Sequence, residues 1–558
     1  MGDADVGGGG HNMSVEIEIP LGKRKPLYRF FEMLPGLVSY SAVILLFVLS
    51  AVNALWGAAF MLLILISMVV KAIGIAIRTA QGYGALVRAQ KVDWHKRLTD
   101  LEHPAKSYER VRDERSSGYG YKQHIENLRV ISESEPGYFP VPSQIYNAVI
   151  IATYNESIDI LGPTVEAVKD TSYDNSHIIL VIAYEERGGE AIEKTVHELK
   201  KKYEGVFGDF LLIKHPADLP NEVVGKGPNI TYAGKQLAEI LPKRGLKYSD
   251  VMITTLDSDN RPSKQYFDYV TYEYIIHEER KHLSYQPVTL FTNNIWDVPA
   301  PMRIVAVGNS FWNVISSMRP HTLRNFASHS QPMDALVEMN FWSTRTIVED
   351  GHQFWRSLFH FRGEYAVIPI RVPIGQDAVL SFSLWKTLKA QFVQLRRWDY
   401  GASDVAYVGS KLFSKRDKRG MSFWQLLPYF IRLMDGHVTL AVVAPIIAFG
   451  GWVPLIMAWI FDPYGTDMLP YNFPEVVSRI QLGATIGLFV TILLSLKLLP
   501  KRPKKYTWWK HVMMVLQWLL MPVVAILYTS AAAFYSQTRL LFGRYMEKFD
   551  VTDKAVKK

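Results

Sequence analysis

Long apolar stretches lie towards both ends of the chain. Residues 33–70 contain no charged side chain, which is enough for about two bilayer crossings of about 20 residues each. Asn53 lies between the two apolar halves and is the predicted tip of a helical hairpin. Three further apolar regions follow, at about 438–461, 479–499 and 511–535. The pattern predicts a multi-pass membrane protein with five spans.

The number of spans decides on which side of the membrane each end of the chain lies. With the N-terminus and the middle of the chain in the cytosol, five spans would place the basic C-terminal tail outside. Basic segments tend to stay on the cytosolic side. A sixth crossing would fit within residues 421–437 or within the run 508–542, which Pro522 interrupts. We therefore expect five to six spans.

The middle of the chain shows a different pattern, in which short apolar runs alternate with helical stretches. The runs are rich in β-branched residues and bounded by polar turns, as in strands that are covered on both faces. They are AVIIAT (148–153), HIILVIAY (177–184), DFLLIK (209–214), VMITTLD (251–257) and YAVIPI (365–370). This alternation of strands and helices predicts an α/β domain with a mainly parallel sheet.

A basic amphipathic helix is predicted directly after this domain, at 383–398. Its apolar face carries Leu384, Leu388, Phe392 and Leu395, and its basic residues, Lys386, Lys389, Arg396 and Arg397, lie elsewhere. Such a helix is typical of a membrane surface. The predicted division of the chain is a flexible, basic-ended cytosolic tail (1–32), a transmembrane hairpin (33–77), a connecting segment (78–144), the α/β domain (145–375), interfacial helices (376–437), C-terminal transmembrane helices (438–542) and a tail (543–558).

Composition and charge agree with a chain that has one part in the membrane and another part in water. The hydrophobic fraction of 49% exceeds what a soluble enzyme needs, whereas 21% charged residues is too many for spans alone. The net charge of +9 is concentrated beside apolar runs, at 22–26, 411–420 and 501–505. This placement favours an anionic membrane surface over nucleic acid as the partner. The chain has no cysteine, which excludes disulfides, thiolate metal sites and cysteine nucleophiles.

The most informative polar element is TTLDSDNRP (254–262), where an apolar strand ends in Asp257 and Asp259. Ligands bind at the carboxyl ends of strands in open α/β sheets. Two carboxylates at this position can share a hard divalent cation, and Mg²⁺ or Mn²⁺ commonly bridges such oxygens to substrate phosphates. An isolated Asp-x-Asp is more often a simple polar turn, so the prediction depends on the neighbouring elements.

Three further elements accompany this turn. The first predicted strand ends in residues that would lie at the same sheet edge and hold a nucleotide: Tyr154, Asn155 and Glu156. Downstream, Glu349 and Asp350 follow an apolar segment, and a carboxylate there could deprotonate an acceptor hydroxyl. A solvated surface pair of Glu349 and Asp350 is the ordinary alternative.

The amphipathic helix places an amide, a guanidinium and an indole on one face: Gln394, Arg397 and Trp398. The alternative is a membrane-surface helix with snorkelling arginine.

As an ordered set these four elements resemble the membrane-bound family 2 glycosyltransferases, the group that includes cellulose, chitin and hyaluronan synthases. The resemblance covers roughly residues 145–400. It implies a GT-A catalytic domain that transfers a sugar from a nucleotide diphosphate donor to a polysaccharide or lipid-linked acceptor, with inversion at the anomeric carbon. Asp257 and Asp259 are implied to bind the donor and coordinate Mg²⁺ or Mn²⁺. Asp350 is implied to be the catalytic base.

The resemblance also implies roles for other donor-binding residues. Gln394, Arg397 and Trp398 match the Gln-x-x-Arg-Trp motif, which closes over the donor diphosphate. Lys226, in KGPN (226–229), matches a Lys-Gly segment and is a candidate phosphate contact. The second strand runs into Glu185, where many members of the family have an aspartate that holds the base. The segment 328–342 matches the region in which processive members contact the acceptor.

Two other classes of protein fit the sequence less well. A transporter with a regulatory nucleotide-binding domain should carry ionisable residues inside its spans, and residues 33–70 have none. A dinucleotide-binding dehydrogenase should show G-x-G-x-x-G after its first strand, and AVIIATYNES has no glycine. The expected location is the plasma membrane, with the catalytic domain in the cytosol and contact with membrane lipids. The sequence does not define the sugar, the linkage, polymer export or the oligomeric state.

Overall fold

The computed structural model describes residues 17–20, 22–114, 117–415, 420–464 and 467–547. Two long antiparallel helices lead the described chain: α1 (Pro26–Val52) and α2 (Ala54–Gln90). Asn53 is the residue between them, and its side chain accepts a hydrogen bond from the backbone N–H of Leu55 at 2.8 Å, which caps α2. The predicted hairpin tip is therefore confirmed. The predicted boundaries at residues 33 and 77 both fall inside these helices.

An eight-stranded mixed sheet forms the centre of the α/β domain. In chain order its strands are β1 (Tyr146–Thr153), β2 (Ile178–Glu185), β3 (Asp209–His215), β4 (Val251–Asp257), β5 (Arg261–Pro262), β6 (Leu283–Leu290), β7 (His329–Pro332) and β8 (Ala366–Gly375). The spatial order is β3-β2-β1-β4-β7-β6-β8-β5. Strands β1 to β4 are mutually parallel, β7 is antiparallel to both of its neighbours, and β5 pairs antiparallel with β8. The predicted fold class, a mainly parallel α/β domain between apolar helices, is confirmed.

All five predicted strands are present, and the sequence pattern missed β5, β6 and β7. Strand β6 was missed because it reads LSYQPVTL, in which polar residues interrupt the apolar run. The buried side chain of Gln286 has hydrogen-bond partners elsewhere in the fold. Its amide N–H donates to the carbonyl of Ser328 at 2.9 Å, and its amide oxygen accepts from the N–H of Phe326 at 2.8 Å. A polar side chain can be buried when such bonds compensate for its lost hydration.

Helices cover both faces of the sheet. The connecting segment contributes α3 (Trp94–Asp100), α4 (Pro104–Asp113) and α5 (Tyr121–Glu133). Trp94 stacks on Tyr269 with ring centroids 3.5 Å apart, and this contact packs α3 against the helix that contains Tyr269. The helices of the domain itself are α6 (Ile158–Lys169), α7 (Gly189–Lys202), α8 (Lys226–Ile240), α9 (Tyr266–Ile276), α10 (Ala300–Ser317), α11 (Met333–Glu338) and α12 (Glu349–His360).

The predicted amphipathic helix is α13 (Leu384–Asp399), followed by α14 (Asp404–Leu412). Three of the four predicted apolar positions face neighbouring side chains: Leu388, Phe392 and Leu395. Leu384 and Trp385 remain exposed at the N-terminal end of α13. An exposed apolar end beside lysine and arginine suits a membrane surface.

The C-terminal helices are α15 (Phe423–Phe449), α16 (Val453–Phe461), α17 (Leu469–Leu498), α18 (Trp509–Leu516), α19 (Met521–Val524) and α20 (Ala531–Leu541), with short 3₁₀ or π turns joining α15 to α16 and α18 to α20. Within the described ranges, four helical regions are long and apolar enough to cross a membrane: Pro26–Val52, Ala54–Gln90, Phe423–Phe461 and Trp509–Leu541. The predicted region 479–499 coincides almost entirely with α17. The count of five to six spans stays a prediction.

Candidate functional site at the carboxyl edge of the sheet

The polar residues singled out in the sequence meet where β1, β2 and β4 end. Ala152 of β1 is in register with Asp257 of β4, and Thr153 is in register with Tyr184 of β2. The loops after these strands therefore start side by side. The turn after β2 crosses the turn after β1 so closely that a Cβ atom on Gly188 would lie 1.9 Å from the Tyr154 carbonyl oxygen. Only glycine permits this approach.

Glu156 is engaged within the turn that follows β1. One carboxylate oxygen accepts hydrogen bonds from the Thr153 hydroxyl at 2.6 Å and from the N–H groups of Tyr154 at 2.8 Å and Asn155 at 3.2 Å. The other oxygen accepts from the Ser258 hydroxyl at 3.1 Å. Glu156 thus ties the β1 turn to the Asp-x-Asp turn, and its assignment as a donor-binding residue stays a prediction. Tyr154 and Asn155 remain at the predicted sheet edge.

The Asp-x-Asp turn is fixed by hydrogen bonds to its backbone. The side-chain oxygen of Asn260 accepts from the N–H of Asp257 at 2.8 Å, and the Asn293 amide donates to the carbonyl of Asp259 at 3.0 Å. The Asp257 side chain remains 25% exposed, whereas Asp259 is buried. The first carboxylate of the pair is therefore accessible to solvent, whereas the second is enclosed by the protein.

Lys226 connects the two predicted carboxylate sites. It is the first residue of α8, and its Nζ lies 2.7 Å from Asp257 Oδ1 and 3.3 Å from both carboxylate oxygens of Asp350. It also donates to the carbonyl of Ala327 at 2.7 Å. Burial disfavours its charge, but the carboxylates of Asp257 and Asp350 outweigh that effect and raise the pKa of Lys226. Lys226 is therefore an ammonium held between two candidate site carboxylates.

Glu349 and Asp350 form the first turn of α12. A Cβ atom on Gly227 would lie 3.0 Å from the Cβ of Glu349, so the first turns of α8 and α12 are in close approach. Burial raises the pKa of Asp350, and the charge of Lys226 lowers it in part. Burial, followed by the charge of Asp350, also raises the pKa of Glu349. Burial therefore dominates the ionisation of both carboxylates, with Lys226 acting against it.

His329, at the start of β7, stands on the other side of Asp350 at 3.9 Å from Nδ1 to Oδ1. The indole N–H of Trp342 donates to its Nε2 at 3.2 Å, so Nδ1 carries the proton and points to the carbonyl of Phe326 at 3.1 Å. Burial and the nearby charge of Lys226 lower the pKa of His329 to about 3. The ring is therefore a neutral neighbour of Asp350. This places the segment 328–342 against the candidate base.

The Gln-x-x-Arg-Trp residues lie on α13. The positive charge of Arg397 is among those that lower the pKa of Asp350, which places its guanidinium on the side of the site. Gln394 accepts a hydrogen bond from the side-chain amide of Gln391 at 3.1 Å. Trp398 packs against Phe291 with ring centroids 6.1 Å apart. Arg397 is thus brought towards Asp350, whereas Trp398 contacts Phe291, the residue that directly follows β6.

Glu185 ends β2 as predicted, but its carboxylate forms an ion pair with Arg187 and its side chain is nearly inaccessible. The arginine two residues further on neutralises the charge of this carboxylate. The assignment of Glu185 as a donor-binding residue stays a prediction, and the ion pair gives it a competing partner inside the protein.

Two contacts to the site come from segments near the chain ends, and sequence reasoning missed both. Near the C-terminus, Met546 packs against Ile347 and its N–H bonds the Tyr400 hydroxyl at 3.2 Å, while the carbonyl of Glu547 accepts from the N–H of Val224 at 3.1 Å. These contacts hold the loops that precede Lys226 and Glu349. The segment carries no apolar periodicity that would have revealed this role. Residues 548–558 of the predicted tail lie outside the described residues.

Near the N-terminus, residues 17–20 pack on α12 and α14. Glu18 forms an ion pair with the fully buried Arg356 of α12, and the Tyr407 hydroxyl donates to the carbonyl of Ile17 at 2.8 Å. Arg345 donates to the carbonyl of Ile19 at 2.9 Å. This part of the predicted flexible tail is therefore built into the domain. Residues 1–16 lie outside the described residues.

The carboxylates at the edge of β4 fit a hard divalent cation. The oxygen donors of Asp257 and Asp259 are of the type that Mg²⁺ and Mn²⁺ prefer. A cationic group already stands beside Asp257, since the Lys226 ammonium is 2.7 Å away. The described residues contain no cluster of three or more potential ligands. The cation would therefore need further ligands from a bound phosphate, as is usual for Mg²⁺.

Comparisons with known proteins find likeness in structure only. No family model and no curated protein sequence matches the chain. Among solved structures, the mannosyltransferase PcManGT from Pyrobaculum calidifontis, in complex with GDP-Man and Mn²⁺, is 13% identical with a TM-score of 0.41, over 85% of this chain and all of that one. TarS of S. aureus is 10% identical with a TM-score of 0.32, over 61% of this chain and 54% of that one. GalNAc-T7, in complex with UDP, GalNAc and Mn²⁺, is 10% identical with a TM-score of 0.31. This match covers 53% of this chain and 58% of that one.

Proposed function

We propose that this protein is an inverting, metal-dependent glycosyltransferase of the membrane. It transfers a sugar from a nucleotide diphosphate donor to a hydroxyl of a polysaccharide or lipid-linked acceptor. The observation that carries the proposal is the grouping of Asp257, Lys226 and Asp350 at the carboxyl edge of the sheet, with the lysine ammonium within 3.3 Å of both carboxylates. One carboxylate faces the donor side of this group and the other faces the acceptor side.

The donor diphosphate would bind beside Asp257. The N-terminus of α8 presents backbone N–H groups and the positive end of the helix dipole there, which favours a phosphate. Lys226 adds a positive charge from the first residue of the same helix, and Arg397 adds a second from α13. Asp257 and Asp259 would hold Mg²⁺ or Mn²⁺, which when bound neutralises charge on the departing nucleoside diphosphate.

Asp350 would take the proton from the acceptor hydroxyl. Its raised pKa makes it a stronger base than an exposed aspartate, and Lys226 keeps it ionised near neutral pH. The neutral His329 ring on its other side cannot protonate it, because Nδ1 is already bonded to the carbonyl of Phe326. As the acceptor oxygen bonds to the anomeric carbon, the bond from that carbon to the diphosphate breaks on the opposite face. A single displacement of this kind inverts the anomer.

The setting of the site suits an acceptor that arrives at the membrane. Helix α13 packs against the last apolar helical region, because the Tyr528 hydroxyl donates to the carbonyl of Leu388 at 3.3 Å and the Ser536 hydroxyl bonds the carbonyl of Arg396. The Gln-x-x-Arg-Trp residues therefore lie between the α/β domain and the membrane region. A nucleotide sugar supplied by the cell requires this domain to face the cytosol.

Replacement of the proposed base tests this function. Asp350→Asn keeps the size of the side chain but cannot accept a proton, so transfer should slow by about two to four orders of magnitude, while affinity for the donor stays close to wild type. The measurements are donor affinity by calorimetry and initial transfer rate, on the same protein in detergent. Asp170→Asn, an exposed aspartate after α6, is the control. Loss of donor affinity with unchanged turnover in Asp350→Asn would contradict the assignment.

A further inference from the structure

A group of cationic side chains lies where α2 meets α15, outside the candidate site. Lys71 of α2 forms an ion pair with Asp435 of α15 at 2.9 Å. Further along, a Cβ atom on Gly450 would lie 2.7 Å from the sulfur of Met61. Since Met61 precedes Lys71 and Gly450 follows Asp435, the two helices run antiparallel. The Lys71 end of their contact is the end nearer the α/β domain, because α2 continues from there to Gln90 and α3.

Three arginines converge just beyond this ion pair. Arg78 lies seven residues after Lys71, about 10 Å along α2, and Arg432 lies three residues before Asp435, about 4.5 Å along α15 in the same direction. The third, Arg319, follows α10. Its neighbour Met318 would be only 3.1 Å from a Cβ on Gly82, one helical turn beyond Arg78.

The charges in this group are not balanced by acidic side chains. Burial lowers the pKa of Arg319, and the positive charges of Arg78 and Arg432 lower it further. Among the described residues, no carboxylate lies within 4.0 Å of these three guanidinium groups, and the nearby Asp435 is paired with Lys71. Arginine stays protonated under all ordinary conditions. An anion bound among the three guanidinium groups would offset this mutual repulsion.

The surface beside the three arginines is apolar and exposed. Val70, Ile73 and Ile77 project from α2, each more than half exposed, and Ile431 projects from α15 directly before Arg432. In a membrane this surface faces the acyl chains, and the arginines lie at its edge towards the α/β domain. The combination of a polar anion site with an adjoining apolar strip matches the two parts of a phospholipid-like molecule.

We propose that Arg78, Arg319 and Arg432 bind the phosphate of a membrane lipid between α2 and α15. Guanidinium groups bind phosphate oxygens through paired N–H donors, and basic pockets between membrane helices bind lipid headgroups on the cytosolic side. Lys71 and Asp435 join the two helices beneath the headgroup, and the acyl chains lie along the apolar strip of α2. The proposal concerns lipid binding and does not depend on the sugar-transfer reaction.

The test measures how strongly the full-length protein selects a phosphomonoester lipid over a neutral one. Electron paramagnetic resonance compares the motionally restricted fraction of spin-labelled phosphatidic acid with that of spin-labelled phosphatidylcholine, in phosphatidylcholine vesicles at fixed salt. A basic residue near an anionic lipid contributes about 1 kcal/mol, or about fivefold. We therefore expect the wild-type protein to prefer phosphatidic acid by at least about fivefold. The triple variant R78Q/R319Q/R432Q should show a preference near one.

A matched control removes the same number of charges elsewhere. R88Q/K501Q/K504Q changes three exposed basic residues beyond the group, and it should keep the wild-type preference. If the triple variant fails to insert, R432Q alone changes one exposed side chain and should lower the preference severalfold. Excess inorganic phosphate should displace little of the bound lipid. Unchanged selectivity in R78Q/R319Q/R432Q or R432Q, equal loss in the control, or full displacement by inorganic phosphate would each overturn the proposal.

Discussion

The lysine between the two carboxylates sets the pH at which the proposed base is ionised. In Lys226→Gln the ammonium 3.3 Å from Asp350 is lost. The attraction between unit charges at this distance is about 1 kcal/mol in water and about 5 kcal/mol at an effective dielectric constant of 20. Because about 1.4 kcal/mol corresponds to one pKa unit, the pKa of Asp350 should rise by about one to four units. Asp350 acts as a base only when ionised, so the acidic limb of activity should move to higher pH.

The pH dependence of kcat/KM is the appropriate measurement, since it reports groups of the free enzyme. Release of nucleoside diphosphate from a nucleotide sugar is followed across the pH range for wild type and variant. Lys226→Arg keeps the positive charge and should keep the position of the acidic limb. Lys214→Gln, which removes a surface lysine paired with Glu193, should leave it unchanged as well. A limb that stays in place in Lys226→Gln would refute this account, however far the overall rate falls.

Three further outcomes are expected. Asp257→Asn and Asp259→Asn should each abolish donor turnover in protein that is folded and inserted in the membrane. Chelation of divalent cations should have the same effect. Activity that survives excess EDTA would exclude the proposed metal role. Arg397→Ala should weaken nucleoside diphosphate binding by calorimetry, and Arg397→Lys should recover only part, because it lacks the planar fork. Glu18→Ala should lower stability by about 1.5–3 kcal/mol, since the buried Arg356 guanidinium loses its carboxylate partner but keeps its hydrogen bonds to the carbonyls of Phe341 and Met339. Thermal unfolding of Glu18→Ala beside Glu193→Ala, an exposed glutamate, measures this effect.

The sequence predicts those parts of the fold that depend on local pattern. Uninterrupted β-branched runs identified β1 to β4 and β8, and the uncharged stretch 33–70 identified the hairpin with its tip at Asn53. Because the carboxyl ends of parallel strands meet, the pattern also placed Asp257 beside the turn after β1, as the register of Ala152 with Asp257 shows. No local rule covers β7, whose four residues HSQP form a strand only between β4 and β6.

The parts of the candidate site that escaped prediction depend on contacts between residues distant in the sequence. Lys226 was a candidate phosphate contact, but its contact with Asp350 joins residues 124 positions apart. The neutral state of His329 follows from Trp342 and from burial, neither of which can be read from the sequence alone. The hydrogen bonds of Glu156 to its own turn depend on a backbone conformation that only the fold defines, and its role in donor binding stays a prediction.

Lys226 and Asp350 occupy the first turns of two helices whose entry loops are held by the chain ends. Val224 bonds Glu547, so the loop before Lys226 is fixed by the segment that leaves the last apolar helix. Met546 packs on Ile347, three residues before Asp350, in the same way. The separation of the ammonium and the base is therefore set by a segment anchored to the membrane region. The relative position of Lys226 and Asp350 therefore depends on the C-terminal apolar helices as well as on the sheet.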